Sequence, residues 1–547
     1  MKLRINGKEV ECAGGTTYAA LFRELGAMDG ALGVHKNGAT ISLNAEAEGG
    51  ADVGIITYKD EEGRRIYERT LQFVLLAAVK RVLPDARVRI EHSFGQGLYC
   101  YIHEGILTTQ QVADIRAQMR AIIDADLPIT RKDATKADAV NYFRETGQTD
   151  KLRLMKYRRY ENFCFYKLGD MYEYFYGEMA PSTAAVAVCD LRLYFPGMVL
   201  MMPDKANPAQ VAQFQDMPKI ARTFAESNRW NAILGCSNAA DLNEMVEKRR
   251  LREFIRVNEA LHERAVAKIA DEFVESGARV ILIAGPSSSG KTTFAHRLQI
   301  ALKVLGKRPG KVSLDDYFIN REMVPVDENG MRDLERLDIL DIKLLNEHLL
   351  QLLRGDTIQA PEFDFVTGTR RAQTHAMRVL EDEPIIIEGI HGLNDELTSL
   401  VPREMKFKIY VSALTTLNLD DHNRIRTTDA RLLRRMVRDY LFRGTPPEET
   451  MERWESVRRG EEIYIFPYQE HADAMFNSSL TYELPIMKKY VYPLLRAVQP
   501  ESACYTMARR LVKFLNYIRT ADVEDEIPVN SILREFIGGC TFYREED

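Results

Sequence analysis

The feature that most constrains this chain is the segment at residues 285–292, Gly-Pro-Ser-Ser-Ser-Gly-Lys-Thr, which fits the pattern G-x-x-x-x-G-K-[ST]. In loops of this pattern successive backbone N–H groups bind phosphate oxygens, the Lys adds a positive charge and the Thr hydroxyl ligates Mg²⁺. We call this segment the P-loop and predict that it binds ATP or GTP. The candidate nucleotide-binding residues are Gly285, Ser287, Ser288, Ser289, Gly290, Lys291, Thr292 and Thr293.

The sequence on both sides of the P-loop supports this interpretation. Residues 279–284 form a short apolar, β-branched run, and residues 294–305 place apolar side chains at helical spacing. A strand, a Gly-rich turn and a helix in this order are the context that the motif requires. The alternative is a turn that matches the pattern by chance, and both flanking patterns argue against it. We therefore predict an α/β fold in which the P-loop follows a strand of a parallel sheet.

The chain is too long for one hydrophobic core and carries no sign of export. At 547 residues and 62.6 kDa, about three or four domains are expected. The net charge of −6 gives no overall nucleic-acid signature, and the seven cysteines lack a C-x-x-C pair, which argues against a disulfide framework or a zinc ribbon. The N-terminus has no apolar signal segment, and no run reaches about 18 apolar residues. We expect a cytoplasmic protein without a membrane span.

Changes in pattern along the chain suggest five parts. Short alternating runs broken by Asn-Gly and Gly-Gly pairs predict a small β-rich domain at residues 1–60. Mixed strand and helix patterns predict an α+β domain at 61–225. One long helix is expected over 241–273, within a helical connector at 226–275. The P-loop domain then occupies 276–495, and a helix with a polar tail occupies 496–547.

Further residues suit phosphoryl transfer. Asp315 follows the strand pattern at 311–314, and Glu388 ends the buried-strand pattern at 385–387, so both acids are expected at the carboxyl edge of the parallel sheet, where such sheets bind ligands. Asp315 could accept a proton from an acceptor hydroxyl, and Glu388 could hold Mg²⁺. A row of arginines at helical spacing would suit a mobile lid, with a solvated helix face as the alternative. These arginines are Arg431, Arg434, Arg435 and Arg438.

These motifs resemble the uridine kinase and phosphoribulokinase family in order and spacing. The matching segments are residues 285–293, 313–318, 363–370, 388–390 and 431–439. The resemblance implies a P-loop NTPase kinase domain, ATP with Mg²⁺ as the donor, and transfer to a sugar hydroxyl, which in uridine kinases is the nucleoside 5′-hydroxyl. It further implies the following roles: catalysis by Asp315, Lys291, Arg434 and Arg438; acceptor binding by Tyr317, Glu335, Phe363, Arg370 and Arg431; and Mg²⁺ binding by Thr292 and Glu388.

Two positions depart from the family pattern in the acceptor region. Uridine–cytidine kinases usually carry Tyr and His where this chain has Phe363 and Gly368. We expect weak or shifted discrimination among pyrimidine bases, and we expect a His at position 368 to tighten it. Glu335 corresponds to the acid that family members direct at the ribose hydroxyls, so ribose binding is expected.

The first 225 residues resemble the N-terminal half of threonyl-tRNA synthetase, which comprises a TGS-like module and an editing-type domain. The residues that carry the resemblance are 33–38 and 54–57 for the module, and 76–85, 97–99 and 177–183 for the domain. The family's H-x-x-x-H and C-x-x-x-H ligand pairs fall on Arg69, Phe73, Phe175 and Met179. None of these side chains replaces a His or Cys metal ligand. A binding or regulatory module without hydrolytic activity is therefore expected. The basic, aromatic stretch at 151–160 has two interpretations, which are contact with RNA and a solvated surface, and both are left open.

We predict an ATP-dependent nucleoside kinase of the uridine type. One alternative is a kinase of a phosphorylated sugar or another small alcohol, as phosphoribulokinases are. The other is an ATP-gated RNA-binding regulator, against which Lys291, Thr292, Asp315 and Glu388 argue, because a nucleotide sensor does not need a catalytic base. The expected partner is a small-molecule substrate, and no membrane association is expected. RNA binding and oligomerisation are left open.

Overall fold

The computed structural model describes residues 1–36, 38–326, 335–364 and 367–543. Two pieces of the motifs above lie outside the described residues, namely Asn37 and residues 365–366. No helix in the described part is long and apolar enough to cross a membrane. We refer to residues 1–225 as the N-terminal region and to residues 276–495 as the P-loop region.

The chain begins with a five-stranded sheet covered by one helix, which confirms the predicted β-rich start. The strand order is β2-β1-β5-β3-β4, and β1 and β2 form a hairpin whose turn, Asn6-Gly7, has positive φ at both residues. Thr17 caps the helix by accepting a hydrogen bond from the Ala20 N–H. The elements are β1 (Lys2–Ile5), β2 (Lys8–Glu11), α1 (Tyr18–Glu24), β3 (Ala31–Lys36), β4 (Ala39–Ile41) and β5 (Asp52–Thr57).

The remainder of the N-terminal region contains two antiparallel sheets around a long helix, as expected of an α+β domain. One sheet has the order β11-β12-β7-β6 and the other β10-β9-β8, and α2 is buried along most of its length. The elements are α2 (Glu61–Val82), β6 (Val88–Phe94), β7 (Gly97–Ile102), α3 (Thr109–Asp124), β8 (Ile129–Thr135), α4 (Lys136–Glu145), α5 (Thr149–Met155), β9 (Asn162–Leu168), β10 (Met171–Glu173), β11 (Asp190–Tyr194) and β12 (Gly197–Met201).

The connector consists of three helices, α6 (Pro218–Ile233), α7 (Ala239–Glu247) and α8 (Leu251–Ser276). The prediction of a single helix over 241–273 is wrong, because the helix is interrupted at Arg249, which adopts a left-handed conformation with φ 56. The Arg250 N–H bonds the Met245 carbonyl, which closes the end of α7. This break lets both α7 and α8 bury apolar faces in one core. The predicted boundary at residue 225 falls inside α6.

The P-loop region contains a five-stranded, fully parallel sheet in the order β14-β19-β13-β20-β21. Apolar cores cover both faces of this sheet, as its continuous hydrophobic strands require. The elements are β13 (Val280–Ala284), α9 (Lys291–Val304), β14 (Gly310–Ser313), α10 (Ile342–Leu353), β15 (Thr357–Ala360), β16 (Phe363–Asp364), β17 (Thr369–Arg370), β18 (His375–Arg378), β19 (Ile385–Glu388), β20 (Lys406–Ser412), α11 (Thr427–Arg443), α12 (Pro447–Tyr464), β21 (Ala474–Asn477) and α13 (Glu483–Ala497).

The described C-terminal residues, 524–543, are packed into the protein, where the sequence predicted a polar tail. After α14 (Tyr505–Leu515) the chain returns to the P-loop and forms a short helix, α15 (Arg534–Ile537). Ile532, Leu533 and Phe536 are fully buried. The largest apolar core contains side chains from the N-terminal region, the connector, the P-loop region and this C-terminal segment. The halves of the molecule are therefore packed around a shared interior.

Candidate active site

The P-loop lies directly after β13 and is shaped by two glycines. A Cβ on Gly285 would lie 1.9 Å from the Val411 carbonyl oxygen, and Gly290 has φ +81, so both positions require glycine. The Lys291 ammonium donates to the Gly285 carbonyl at 2.9 Å and to the Pro286 carbonyl at 3.3 Å. Among the described residues the buried hydroxyls of Ser288 and Ser289 have no hydrogen-bond partner. These free donors fit a phosphate group held in the loop.

A hydroxyl and a carboxylate meet at the start of α9. The Thr292 hydroxyl donates to Glu388 Oε1 at 2.8 Å, and Lys311 Nζ lies 3.9 Å from Glu388 Oε2. Among the described residues no group of three His, Cys, Asp or Glu side chains forms a metal cage. The pair nevertheless fits Mg²⁺, which binds one or two protein oxygens and fills its other positions with water and substrate phosphate.

Asp315 lies at the carboxyl end of β14, in a short 3₁₀ turn at Leu314–Tyr317. In the sheet, Ser313 of β14 and Ile283 of β13 both pair with Glu388, so the acids and the P-loop share one edge. Loss of hydration inside the cleft, followed by the charge of Glu388, raises the pKa of Asp315 to about 6, and Lys291 opposes this rise. The side chain still faces solvent. A reachable carboxyl with a raised pKa suits a general base.

The four arginines of α11 divide into two anchored and two site-facing side chains. Arg431 forms a bidentate ion pair with Glu461, at 2.6 Å for Nη2, and Arg434 donates to Glu483 at 2.9 Å through Nε. Both arginines are almost fully buried, so the prediction that all four arginines form one exposed row is wrong for these two. Their guanidinium groups require carboxylate partners in the interior. Arg431 also donates to the Ser287 carbonyl of the P-loop at 3.2 Å, so we infer that these pairs hold α11 against the loop.

The other two arginines are less buried and contact the P-loop and the C-terminal segment. Arg435 donates to the Ser287 hydroxyl at 2.8 Å, and Arg438 Nη1 lies 3.6 Å from Glu535 of the C-terminal segment. Both side chains are partly exposed, at 17% and 18%. The sequence analysis included Arg435 in the arginine row predicted for a lid, without a catalytic or acceptor-binding role. The pair therefore offers positive charge beside the phosphates, as a phosphoryl-transfer site requires.

The comparison with known families agrees with this geometry. The sequence model of the Phosphoribulokinase / Uridine kinase family matches residues 280–484. A uridine kinase of Deinococcus deserti is 31% identical over 197 residues, which are 36% of this chain and 86% of that kinase. This chain belongs to the phosphoribulokinase and uridine kinase family. Membership of this family makes it an ATP-dependent kinase of a small molecule.

Two further comparisons concern the N-terminal region and the fold. A threonine–tRNA ligase of Symbiobacterium thermophilum is 30% identical over 188 residues, which are 33% of this chain and 28% of the ligase. The match lies on the N-terminal part of this chain, and it spans less than a third of the length of that ligase. The solved structure of a possible uridine kinase from Bacillus stearothermophilus has a TM-score of 0.26 at 18% identity and covers 38% of this chain and 97% of that chain.

The acceptor residues implied by the kinase family hold the loops beside Asp315. The Tyr317 hydroxyl is buried and lies 2.9 Å from His348 Nδ1. Arg370 donates to the Tyr317 and Phe318 carbonyls at 2.9 and 3.0 Å, and it pairs with Asp341. These side chains therefore fix the shape of the acceptor loop.

Phe363, Glu335 and Gly368 lie against different neighbours. Phe363 is buried, its ring centroid lies 5.6 Å from that of Phe318, and its N–H donates to Asp316. Glu335 lies over Gly460 of α12, where a Cβ would approach the Glu335 side chain to 2.8 Å. Gly368 has φ +70, and a Cβ there would lie 2.9 Å from Arg321 Nε. A His at position 368 would be strained at this φ, so a cost in stability is expected, and the tighter base recognition stays a prediction.

The C-terminal segment, residues 524–543, is a part of the site that sequence reasoning missed. The Thr293 hydroxyl donates to Glu535 Oε2 at 2.6 Å, Ile532 packs on Gly290, and the Phe542 ring stacks on His296 at 5.0 Å. The available signal was the apolar pattern Ile532, Leu533, Phe536 and Ile537, which has the spacing of one buried helical face.

The four positions aligned with the synthetase metal ligands come together but form a non-metal cluster. The rings of Phe73 and Phe175 lie 5.8 Å apart, and Met179 belongs to the same apolar core. The Arg69 guanidinium donates to the Glu178 carbonyl at 2.9 Å and lies against Gly177. A cation, two phenyl rings and a thioether provide no zinc ligand set.

Proposed function

We propose that this kinase transfers the γ-phosphoryl group of ATP to the 5′-hydroxyl of a uridine- or cytidine-type nucleoside, giving the nucleoside monophosphate and ADP. The observation that carries the proposal is the meeting of Lys291, Glu388 and Asp315 at one sheet edge, with the Asp315 pKa raised to about 6. The uridine kinase of Deinococcus deserti, with 86% of its length covered, supports a nucleoside acceptor.

Each side chain has a distinct task in the proposed reaction. Asp315 accepts the proton of the acceptor hydroxyl as the hydroxyl oxygen bonds to phosphorus and the bond to ADP breaks. Lys291 and the hydroxyls of Ser288 and Ser289 hold the donor phosphates, and Arg435 and Arg438 offset negative charge on the migrating group. Thr292 and Glu388 would hold Mg²⁺, which when bound neutralises phosphate charge. The remaining contribution is orientation of the two substrates.

A panel assay tests the acceptor. The full chain is incubated with ATP and, separately, with uridine, cytidine, adenosine, guanosine and a pentose monophosphate, and ADP formation is followed. We expect turnover with the pyrimidine nucleosides. Turnover with the pentose monophosphate alone would overturn the nucleoside proposal and favour a phosphoribulokinase-like acceptor.

Lys291→Ala is the control for the site itself. The Lys291 charge lies where the transition state gains negative charge, so its loss should lower kcat/KM by about 10²-fold or more while the fold is retained. Circular dichroism and the thermal midpoint check the fold. Near-native turnover of Lys291→Ala would show that the P-loop is not the catalytic phosphate site.

A further inference from the structure

Helix α11 places two of its arginines on one residue of the P-loop. Arg431 donates to the Ser287 carbonyl at 3.2 Å, and Arg435 donates to the Ser287 hydroxyl at 2.8 Å. About one turn further along the helix, Arg438 Nη1 lies 3.6 Å from Glu535. The position of α11 therefore decides how closely these cations approach a phosphate group held in the loop.

The first turn of α11 is held by an ion pair with a different part of the chain. Asp429 lies in this turn and is almost fully buried. Its carboxylate accepts two hydrogen bonds from the Arg510 guanidinium of α14, at 2.5 Å from Nη1 and 3.0 Å from Nη2, and Arg65 of α2 lies 3.7 Å away. Burial raises the pKa of Asp429, but the charges of Arg510 and Arg65 outweigh burial and keep it below its usual range. The bidentate pair fixes the direction of the carboxylate as well as its distance.

Neither partner of Asp429 belongs to the segment that the kinase family model matches. That segment is 280–484, whereas α2 lies in the N-terminal region and α14 follows the match. Helix α2 adds a second contact, because Glu68 lies 2.8 Å from Arg426, the residue directly before α11. Arg65 is itself paired with Glu61 at 2.5 Å. Charges on one face of α2 thus meet the start of α11.

The ion pair acts on the side of α11 opposite to its arginines. At about 100° per residue, the four arginines of α11 lie within an arc of about 100°, and Asp429 lies roughly opposite the middle of that arc. Leu432, Leu433 and Met436 share the side of Asp429 and belong to the shared apolar core. The helix is therefore clamped, with the P-loop on one side and α2 and α14 on the other. The Asp429 pair sets the distance on this second side.

We propose that Arg510 is a positioning residue for phosphoryl transfer, which holds Asp429 and thereby sets the approach of Arg435 and Arg438 to the P-loop. Arg65 assists from the N-terminal region. The parts of the chain outside the kinase match are then working parts of the kinase. The proposal rests on the roles that Arg435 and Arg438 have in the proposed function, and it does not depend on which acceptor the site takes.

Single variants of the full chain give the first test, with ADP formation as the readout. Arg510→Ala should lower kcat about tenfold or more, because a small displacement of charged groups in a reaction site is costly. The KM for ATP should change less than about threefold, since the backbone of the P-loop and Lys291 still bind the donor phosphates. Arg510→Lys keeps the charge without the bidentate geometry and should recover part of the loss. Arg509→Ala removes the exposed neighbouring arginine of α14 and should keep the parent kcat.

A double-mutant cycle separates positioning from a purely structural role. Arg435→Ala is measured alone and together with Arg510→Ala, at a temperature well below the thermal midpoint of each variant. If Arg510 acts through the arginines of α11, the loss of kcat in the double variant should be clearly smaller than the product of the two single losses. Independent effects would multiply.

Three results would overturn the proposal. If Arg510→Ala lowers the thermal midpoint and keeps the parent kcat below it, the pair with Asp429 is structural alone. If the two losses multiply, Arg510 does not act through Arg435. A parent kcat in Arg435→Ala would instead show that the role given to Arg435 in the proposed function is wrong, and the positioning proposal would fall with it. Should Arg510→Ala fail to fold, Arg510→Lys takes its place in the cycle with an expected loss of about threefold, and a parent kcat in that variant would equally overturn the proposal.

Discussion

The carboxyl of Asp315 lies at the end of β14 with Glu388 and Lys291 as its charged neighbours, and its pKa is raised to about 6. A base must be ionised to accept a proton, so activity should be lost as the pH falls through this value. At pH 5 only about a tenth of such carboxyls is ionised. We predict that kcat/KM for the acceptor rises with unit slope up to about pH 6 and is constant above it.

Variants at this position separate a base from a metal ligand. Asp315→Asn should bind ATP normally and lose about 10²- to 10⁴-fold in kcat, because the amide keeps the shape and cannot accept the proton. The residual activity should no longer change between pH 5 and 7. Asp356→Asn, at an exposed position, is the control and should keep the parent profile. A loss of ATP affinity in Asp315→Asn would assign Asp315 to metal binding instead.

At the level of helices and strands, the sequence predicted those features of the site that depend on neighbouring residues. The strand, loop and helix around Lys291 follow from local periodicity, and the positions of Asp315 and Glu388 follow from the rule that parallel strands share a carboxyl edge. The partners of Arg431 and Arg434 could not be predicted in this way. Glu461 and Glu483 lie 30 and 49 residues further along the chain, and only the packing of α12 and α13 brings them there.

The C-terminal segment leads to a prediction about nucleotide affinity. The Glu535 carboxylate accepts a hydrogen bond from the Thr293 hydroxyl at 2.6 Å and lies 3.6 Å from Arg438. Burial lowers the pKa of Lys291, and the charge of Glu535 opposes this. A carboxylate at this place repels a nucleotide phosphate and competes for the same donors. Glu535→Gln removes the charge and keeps the shape. We predict a KM for ATP that is about three- to tenfold lower, with kcat nearly unchanged.

Steady-state kinetics at varied ATP concentration measures this effect. Glu526→Gln is the matched control, because Glu526 belongs to the same segment and pairs with Arg252 and Arg256, away from the P-loop. Its KM should equal that of the parent. A higher KM in Glu535→Gln would mean that the carboxylate assists nucleotide binding, and the competition argument would then be wrong.

At the scale of the whole molecule, the segment between β20 and α11 is held by the N-terminal region. Arg89 pairs with Asp421 at 2.9 Å, and His422 lies 2.7 Å from Glu173, which also pairs with Lys151. Leu417, Leu419 and Ile425 of the same segment belong to the shared apolar core. Sequence analysis identified two resemblances and five parts, and the division stays a prediction. It gave no sign of this interface, because charged residues far apart in sequence carry no record of their partners.

The interface predicts that the two regions unfold together. Buried Glu68 on α2 lies 3.2 Å from Arg424 and 2.8 Å from Arg426 of the P-loop region, and burial lowers the pKa of Arg426 to about 9 despite Glu68. Glu68→Ala would leave two largely buried cations without this carboxylate, at a cost of about 3 kcal/mol in the free energy of unfolding. We predict that hydrogen exchange in α2 and in β13 reports the same opening free energy, and that Glu68→Ala lowers both equally. Glu61→Ala on the same helix removes one partner of the buried Arg65, which keeps Glu62 at 3.5 Å and Asp429 at 3.7 Å, and should cost less than Glu68→Ala. If Glu68→Ala accelerates exchange in α2 while β13 keeps the parent value, the regions unfold independently and the shared core does not couple them.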